Sequence, residues 1–204
     1  MKLIGMLDSP YVRRVAISAK RLGIALEHES VSVFRTFEQF RQINPVVKAP
    51  TLVLDDGDVL MDSTLIIDYL EALAGPERSL MPAGIKQRLR ALRLIGLALA
   101  ASEKSVQLYY ERNLRPAQIQ YAPWVERVEG QLAAAYDALE RELEKQPLKT
   151  DGLIDQAGIT LAVAWSFTNY VVPDQVSTER FPRIAAFTGY AEGLEVFVST
   201  PIDG

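Results

Sequence analysis

The chain is expected to fold as an α/β domain followed by an all-α helical domain, and three observations predict that division. Up to about residue 75, short apolar runs alternate with an amphipathic helix and turn-forming residues. A turn-rich stretch from Ala74-Gly75-Pro76 to Met81-Pro82 then changes the character of the chain. Beyond it, apolar residues recur at helical spacing. The expected organisation is an α/β domain over residues 1–75, a linker over 76–84 and a helical domain over 85–204.

Lys2 to Leu7 is a short apolar run typical of a buried strand. Ser9-Pro10 opens a helix, because Ser is a favoured N-cap and Pro suits the first helical position. Val12, Val15, Ala16, Ala19 and Leu22 form its apolar stripe and Gly23 closes it, with Arg13, Arg14, Lys20 and Arg21 on the expected polar face. Glu27 to Val33 supplies a second strand, and Phe34 to Ile43 a short helical connection with Phe37 and Phe40 facing inward. Thr51 to Leu54 and Val59 to Met61 flank Asp55-Asp56-Gly57-Asp58, the chemistry of a hairpin turn. A helix from Ser63 to Leu73 follows, capped by Asp62 or Ser63.

In the second half, Ile85 to Arg112 reads as one long helix and Pro123 to Leu143 as another. Val125, Val128, Leu132, Ala135, Leu139 and Leu143 mark a seam that predicts antiparallel packing between the two. Helices at Gln156 to Val171 and Phe181 to Gly193 complete a bundle. Asp155 can cap the first of these, but Gly158 cannot supply the reciprocal acid of a capping box.

Composition narrows the chemistry. Of 204 residues, 49% are hydrophobic and 24% charged, enough apolar material for a real core. The net charge of -4 gives no basic footprint for phosphates, so nucleic acid is not an expected partner. The longest apolar run, Leu94 to Ala101, is far shorter than the ~20 residues that a membrane helix needs. Met1 to Leu7 is too short for a secretory apolar region, so a cytoplasmic location is expected. The chain has no cysteine and a single histidine, His28, and no Gly-x-Ser-x-Gly elbow. Disulfides, a protein thiol nucleophile and cysteine-ligated zinc are therefore ruled out, and no metal site is expected. Any sulfur chemistry must use sulfur that arrives with the substrate.

Three clusters remain. Ser9-Pro10-Tyr11-Val12-Arg13 lies at a strand-to-helix junction, where backbone N–H groups and the positive end of the helix dipole favour an anion beside a hydroxyl donor. Val47-Lys48-Ala49-Pro50 places a proline after an extended residue, the setting of a cis peptide bond and equally of an edge-strand start. Asp62-Ser63 sits at a second helix N-terminus, where it can cap the helix or receive a carboxylate.

Together, in this order, the clusters resemble those of a bacterial-type soluble glutathione S-transferase of the serine type. Asn44-Pro45-Val46-Val47-Lys48-Ala49-Pro50 is similar to that family's Asn-Pro-x-Gly-Lys-Val-Pro, with Val47 in place of the glycine. The resemblance covers nearly the whole chain. It implies a thioredoxin-like N-terminal domain, in agreement with the β-α-β-α-β-β-α order, joined to an all-helical C-terminal domain. It further implies that glutathione is the co-substrate, held by Ser9, Lys48, Ala49, Pro50, Asp62 and Ser63, with Ser9 as the catalytic residue that donates to the sulfur. Ala49 would pair, strand-like, with the cysteinyl residue, and Asp62-Ser63 would take the γ-glutamyl end. Tyr11, Tyr110 and Arg112 are the implied lining of a pocket for a small hydrophobic electrophile, and a homodimer is the implied assembly. Three other readings stay open at this point: a partner-binding module like the stringent-starvation proteins, a glutathione-dependent isomerase or dehalogenase, and a peroxidase.

Overall fold

The computed structural model describes residues 1–202, which form two compact units. The first comprises residues 1–80 together with the segment that begins at Leu194. Its elements are β1 (Lys2–Ile4), α1 (Pro10–Leu22), β2 (Glu27–Glu29), α2 (Phe37–Ile43), β3 (Thr51–Val53), β4 (Val59–Met61) and α3 (Ser63–Ala74). The sheet order is β2-β1-β3-β4. β1 pairs in parallel with β2, Leu3 opposite His28, a connection that needs the crossover helix α1. It pairs antiparallel with β3, Leu3 opposite Leu52, and β3 in turn pairs antiparallel with β4, Leu52 opposite Leu60. This is the thioredoxin-like arrangement that the sequence predicts.

The strands are short. β2 stops at Glu29, not at Val33, because Val31 leaves the ladder to join Ile4 and Phe40 in a buried cluster. Phe37, expected to face inward, is 44% exposed. It is the first residue of α2, and only Phe40, one turn further on, reaches the core.

α1 also departs from the amphipathic pattern. Arg13 and Arg14, placed by the sequence on a polar face, are each only 2% exposed. The closing segment covers one side of the helix: after α8 (Glu195–Val198), Thr200 accepts a hydrogen bond from Arg13 Nε at 2.8 Å, and the Arg13 guanidinium lies 5.4 Å from the centre of the Phe197 ring. Lys20 donates to the Ser199 carbonyl at 2.7 Å. α3 packs along the other side and meets Arg14.

The second unit, residues 81–193, contains α4 (Ile85–Asn113), α5 (Ala122–Lys145), α6 (Gln156–Val171) and α7 (Pro182–Glu192). Ion pairs join early α4 to late α5, Arg93 with Glu142, and late α4 to early α5, Arg112 with Glu129, so the two helices run antiparallel as expected. α6 is buried nearly all round and packs on both α4 and α7. Asp155 caps it, with Oδ1 accepting the Gly158 N–H at 2.8 Å. Gly158 has a packing reason, since a Cβ there would come within 2.9 Å of both Ile154 and Phe187. At the core, the Tyr136 hydroxyl bonds with Thr168 Oγ1 at 2.6 Å, and Thr168 also bonds with Ser105 at 2.7 Å. Burial pushes the Tyr136 phenol well above its ordinary pKa, so it stays neutral. No helix is long and apolar enough to cross a membrane among the described residues.

Candidate functional site

The β1–α1 connection sets the first part of the site. Gly5 has φ +138°, and a Cβ on it would lie 2.6 Å from Val12 Cγ2 and 3.2 Å from Ala49 Cβ. Only glycine lets α1 and the loop around Ala49 approach this closely. Ser9 then caps α1 from an extended conformation, with Pro10 at the first helical position. Ser9 Oγ accepts the Val12 N–H at 3.4 Å, a long bond that occupies one lone pair and leaves the hydroxyl hydrogen to be donated elsewhere.

The second part is the loop from Asn44 to Thr51. Asn44 Nδ2 donates to Thr51 Oγ1 at 2.9 Å, Thr51 Oγ1 donates to the Lys48 carbonyl at 2.7 Å, and Asn44 Oδ1 accepts the Val46 N–H at 3.0 Å. These bonds fix the loop from inside. The Ala49–Pro50 peptide bond is cis. Val47 has φ +52°, a left-handed conformation that costs a β-branched residue about 1–2 kcal/mol and explains why glycine suits this position. Its side chain packs against the cluster of Ile4, Val31 and Phe40, which offsets part of that cost.

The third part is the start of α3. Asp62 is its N-cap at φ +73°, and its Oδ1 accepts the Thr64 N–H at 2.9 Å. Lys48 Nζ lies 3.9 Å from Asp62 Oδ2 across an exposed gap, a pairing worth well under ~1 kcal/mol that still ties the second cluster to the third. Arg14 ties the first to the third: Nη1 donates to Ser63 Oγ at 3.0 Å and reaches Thr64 Oγ1 at 3.3 Å. Burial lowers the Arg14 pKa to about 10 against the opposing pull of the Asp62 carboxylate, so the guanidinium remains a cation at neutral pH.

Ser9, Lys48, Ala49, Pro50, Asp62 and Ser63 are thus all carried by the first unit, linked through Gly5, Lys48 and Arg14. Tyr11 lies on α1 two residues after Ser9 and is half-buried. Tyr110 and Arg112 belong to the second unit. Arg112 donates to Asp174 at 3.0 Å and to Glu129 at 2.7 Å, and Tyr110 is exposed next to Tyr109, their ring centres 6.3 Å apart. His28 Nε2 bonds with the Gly5 carbonyl at 2.8 Å, a structural tie between β2 and the β1–α1 connection. Among the described residues, no group of three or more His, Asp or Glu side chains could hold a metal ion.

Arg14 is the residue that sequence reasoning missed. The signal lay in Ile17, an apolar residue three positions later that falls outside the expected stripe and marks a second buried face on α1; it is buried with Arg14.

The glutathione S-transferase N-terminal domain model matches residues 3–78. A curated relative, the uncharacterized GST-like protein YibF of Escherichia coli, is 29% identical over 170 residues, covering 83% of each chain. Glutathione S-transferase D6 of Drosophila melanogaster is 27% identical over 90% of this chain and 83% of its own. Among solved structures, a glutathione transferase family member from Pseudomonas fluorescens with bound glutathione is 28% identical with a TM-score of 0.84, covering 98% of this chain and 97% of that one.

Proposed function

We propose, on the premise that the chain belongs to the glutathione S-transferase family, that it binds glutathione on the first unit and activates its thiol for attack on a small hydrophobic electrophile. The observation that carries this reading is the placement of two serine hydroxyls at helix N-termini. Ser9 and Ser63 stand at the N-termini of α1 and α3, two helices packed against each other, and each hydroxyl accepts a bond from its own surroundings and so has a proton to give to an anion. Glutathione carries suitable anions at both ends of this span: the thiolate for Ser9 and the γ-glutamyl carboxylate for Ser63.

A free thiol with pKa ~8.5 is about 3% ionised at pH 7, and a lowering of two units, about 2.7 kcal/mol, would make it mostly thiolate. Helix N-termini lower thiol pKa values on this scale. Ser9 adds one hydrogen bond to the charged sulfur, worth about 1.5–3 kcal/mol. The thiol releases its proton to solvent, and the sulfur lone pair forms the new bond to the electrophile. It does so either by addition across a polarised double bond that then takes up a proton, or by displacement of a leaving group that departs with its electron pair, chloride in the case of a chlorinated aromatic. Ala49 pairs its backbone with the cysteinyl residue ahead of Pro50, Lys48 meets the glycyl carboxylate, Asp62 takes the γ-glutamyl ammonium and Tyr11 walls the reacting end.

Replacement of Ser9 with Ala is expected to lower kcat by roughly 10- to 100-fold while the dissociation constant for glutathione changes less than about threefold, since the hydroxyl acts on the charged sulfur. Steady-state kinetics with a chlorinated aromatic acceptor, beside calorimetric glutathione binding, checks this. An unchanged kcat would remove Ser9 from the chemistry.

Two further parts of the proposal concern the whole molecule. It works in the cytoplasm, where the glutathione pool is kept reduced. It does so as a homodimer, for which α4 supplies a stripe of uncovered apolar side chains at helical spacing: Ile85, Leu89 and Leu92, at 79%, 68% and 51% exposure.

A further inference from the structure

We propose that His28, on the edge strand β2, is a positioning residue for Ser9: its Nε2–H holds the Gly5 carbonyl and so fixes the β1–α1 connection, against which the Ser9 hydroxyl and the Ala49 backbone are spaced. This rests on the glutathione reading above and gives a role to the only histidine of the chain.

The argument starts from a missing rung. In a parallel ladder, a bonded residue of one strand reaches the residues on either side of its partner in the next. Glu29, the partner of Ile4, follows that rule when its carbonyl accepts the Gly5 N–H at 3.1 Å. The next rung would bring the Val31 N–H to the Gly5 carbonyl. The Val31 N–H turns back instead to the Glu29 carbonyl at 3.0 Å, as the chain leaves the sheet for its buried cluster. The His28 ring takes the vacated place, with Nε2 2.8 Å from the Gly5 oxygen. A carbonyl only accepts, so the ring carries a hydrogen on Nε2, and it donates in both its neutral and its protonated form.

What this bond holds is the reference point of the site. Gly5 has φ +138°, with Val12 and Ala49 pressed against the place of a Cβ. With its N–H on Glu29 and its C=O on His28, both polar groups of Gly5 are held. The Gly5 carbonyl shares its peptide plane with the Met6 nitrogen, and the Met6 carbonyl then accepts the Ser9 N–H at 3.1 Å. The orientation set at Gly5 therefore passes through one residue to the cap of α1. On its other side Gly5 lies against Ala49, whose backbone is assigned to the cysteinyl residue. The hydroxyl and the backbone that meet one cysteine of the ligand are thus spaced from a single peptide, and a misplacement of about 1 Å between such groups can cost roughly 100-fold in rate. His28 is itself exposed, so its replacement opens no cavity.

The test follows the ultraviolet thiolate absorbance of bound glutathione against pH in the full chain, beside steady-state kinetics with a chlorinated aromatic acceptor. In His28→Ala the pKa of the bound thiol is expected to rise by about half a unit or more, and kcat/KM at neutral pH to fall about threefold or more. His28→Gln, which carries an N–H the same number of bonds from the backbone, is expected to restore both. Proton–nitrogen NMR of the native chain gives a readout that needs no variant, because one histidine gives one set of ring signals; the hydrogen is expected on Nε2. An unshifted thiol in His28→Ala, a Gln variant no better than the Ala one, or a neutral ring with its hydrogen on Nδ1 would each overturn the role of His28 and leave the glutathione reading standing. A native protein that gives no thiolate signal would overturn both.

Discussion

At the scale of single residues, Ser9 combines two duties that mutation can separate. As the N-cap of α1 it stabilises the helix, and as a donor it would stabilise a thiolate. Alanine removes both, at a cost of about 1 kcal/mol in the cap, whereas glycine at an N-cap costs only a few tenths. Ser9→Ala and Ser9→Gly are therefore expected to lose turnover equally, while only the alanine variant shows a fall in Tm of about 2–4 °C in thermal unfolding. Turnover that tracked Tm across the two would mean that the hydroxyl matters only as a cap. The same duality limited what could be read from sequence. Ser9, Asp62 and Asp155 are all good N-caps, and all three do cap their helices. Letters alone could not say which caps also face a ligand. Arg14 was less legible still, because a single apolar stripe assigns one buried face to a helix, and α1 has neighbours on more than one side.

At the scale of elements, the long, strongly periodic pieces were the easiest to foresee. α4, α5 and α6 fall within about two residues of their expected limits, α5 because its 3.6-residue seam runs over many turns and α6, which is buried nearly all round, because the Asp155 cap marks where it starts. The short pieces were less so. The end of β2 and the orientation of Phe37 depend on which of several nearby apolar residues wins the small pocket next to Ile4, and Val31 and Phe40 win it. The left-handed turn at Val47 was foreseeable as a departure from the family glycine, but the packing that tolerates it was not. The β1–α1 connection yields an element-level prediction. In Gly5→Ala the new methyl meets Val12 Cγ2 at 2.6 Å from a φ of +138°, so α1 and the Ala49–Pro50 loop must move apart. The expected result is a loss of about 2–4 kcal/mol in urea unfolding together with at least tenfold weaker glutathione binding. Native stability in this variant would show that the connection is not a tight constraint.

At the scale of the whole molecule, the two units have separate cores, and the groups assigned to glutathione lie in the first. The uncovered stripe of Ile85, Leu89 and Leu92 on α4 is expected to close against a second copy. Light scattering should then report a dimer for the native chain and a monomer for Leu89→Lys, because a buried lysine without a partner is costly; a native monomer would refute the dimer. The central claim is that the fold lowers the pKa of a bound thiol, and fold alone does not establish that. Its most direct test is the ultraviolet thiolate absorbance of glutathione bound to the purified protein, titrated against pH. The account predicts a saturable thiolate signal with a pKa at least one unit below that of free glutathione, raised again in Ser9→Ala. Bound glutathione with an unshifted thiol would contradict it, and the absence of any complex would leave the chain as a partner-binding module.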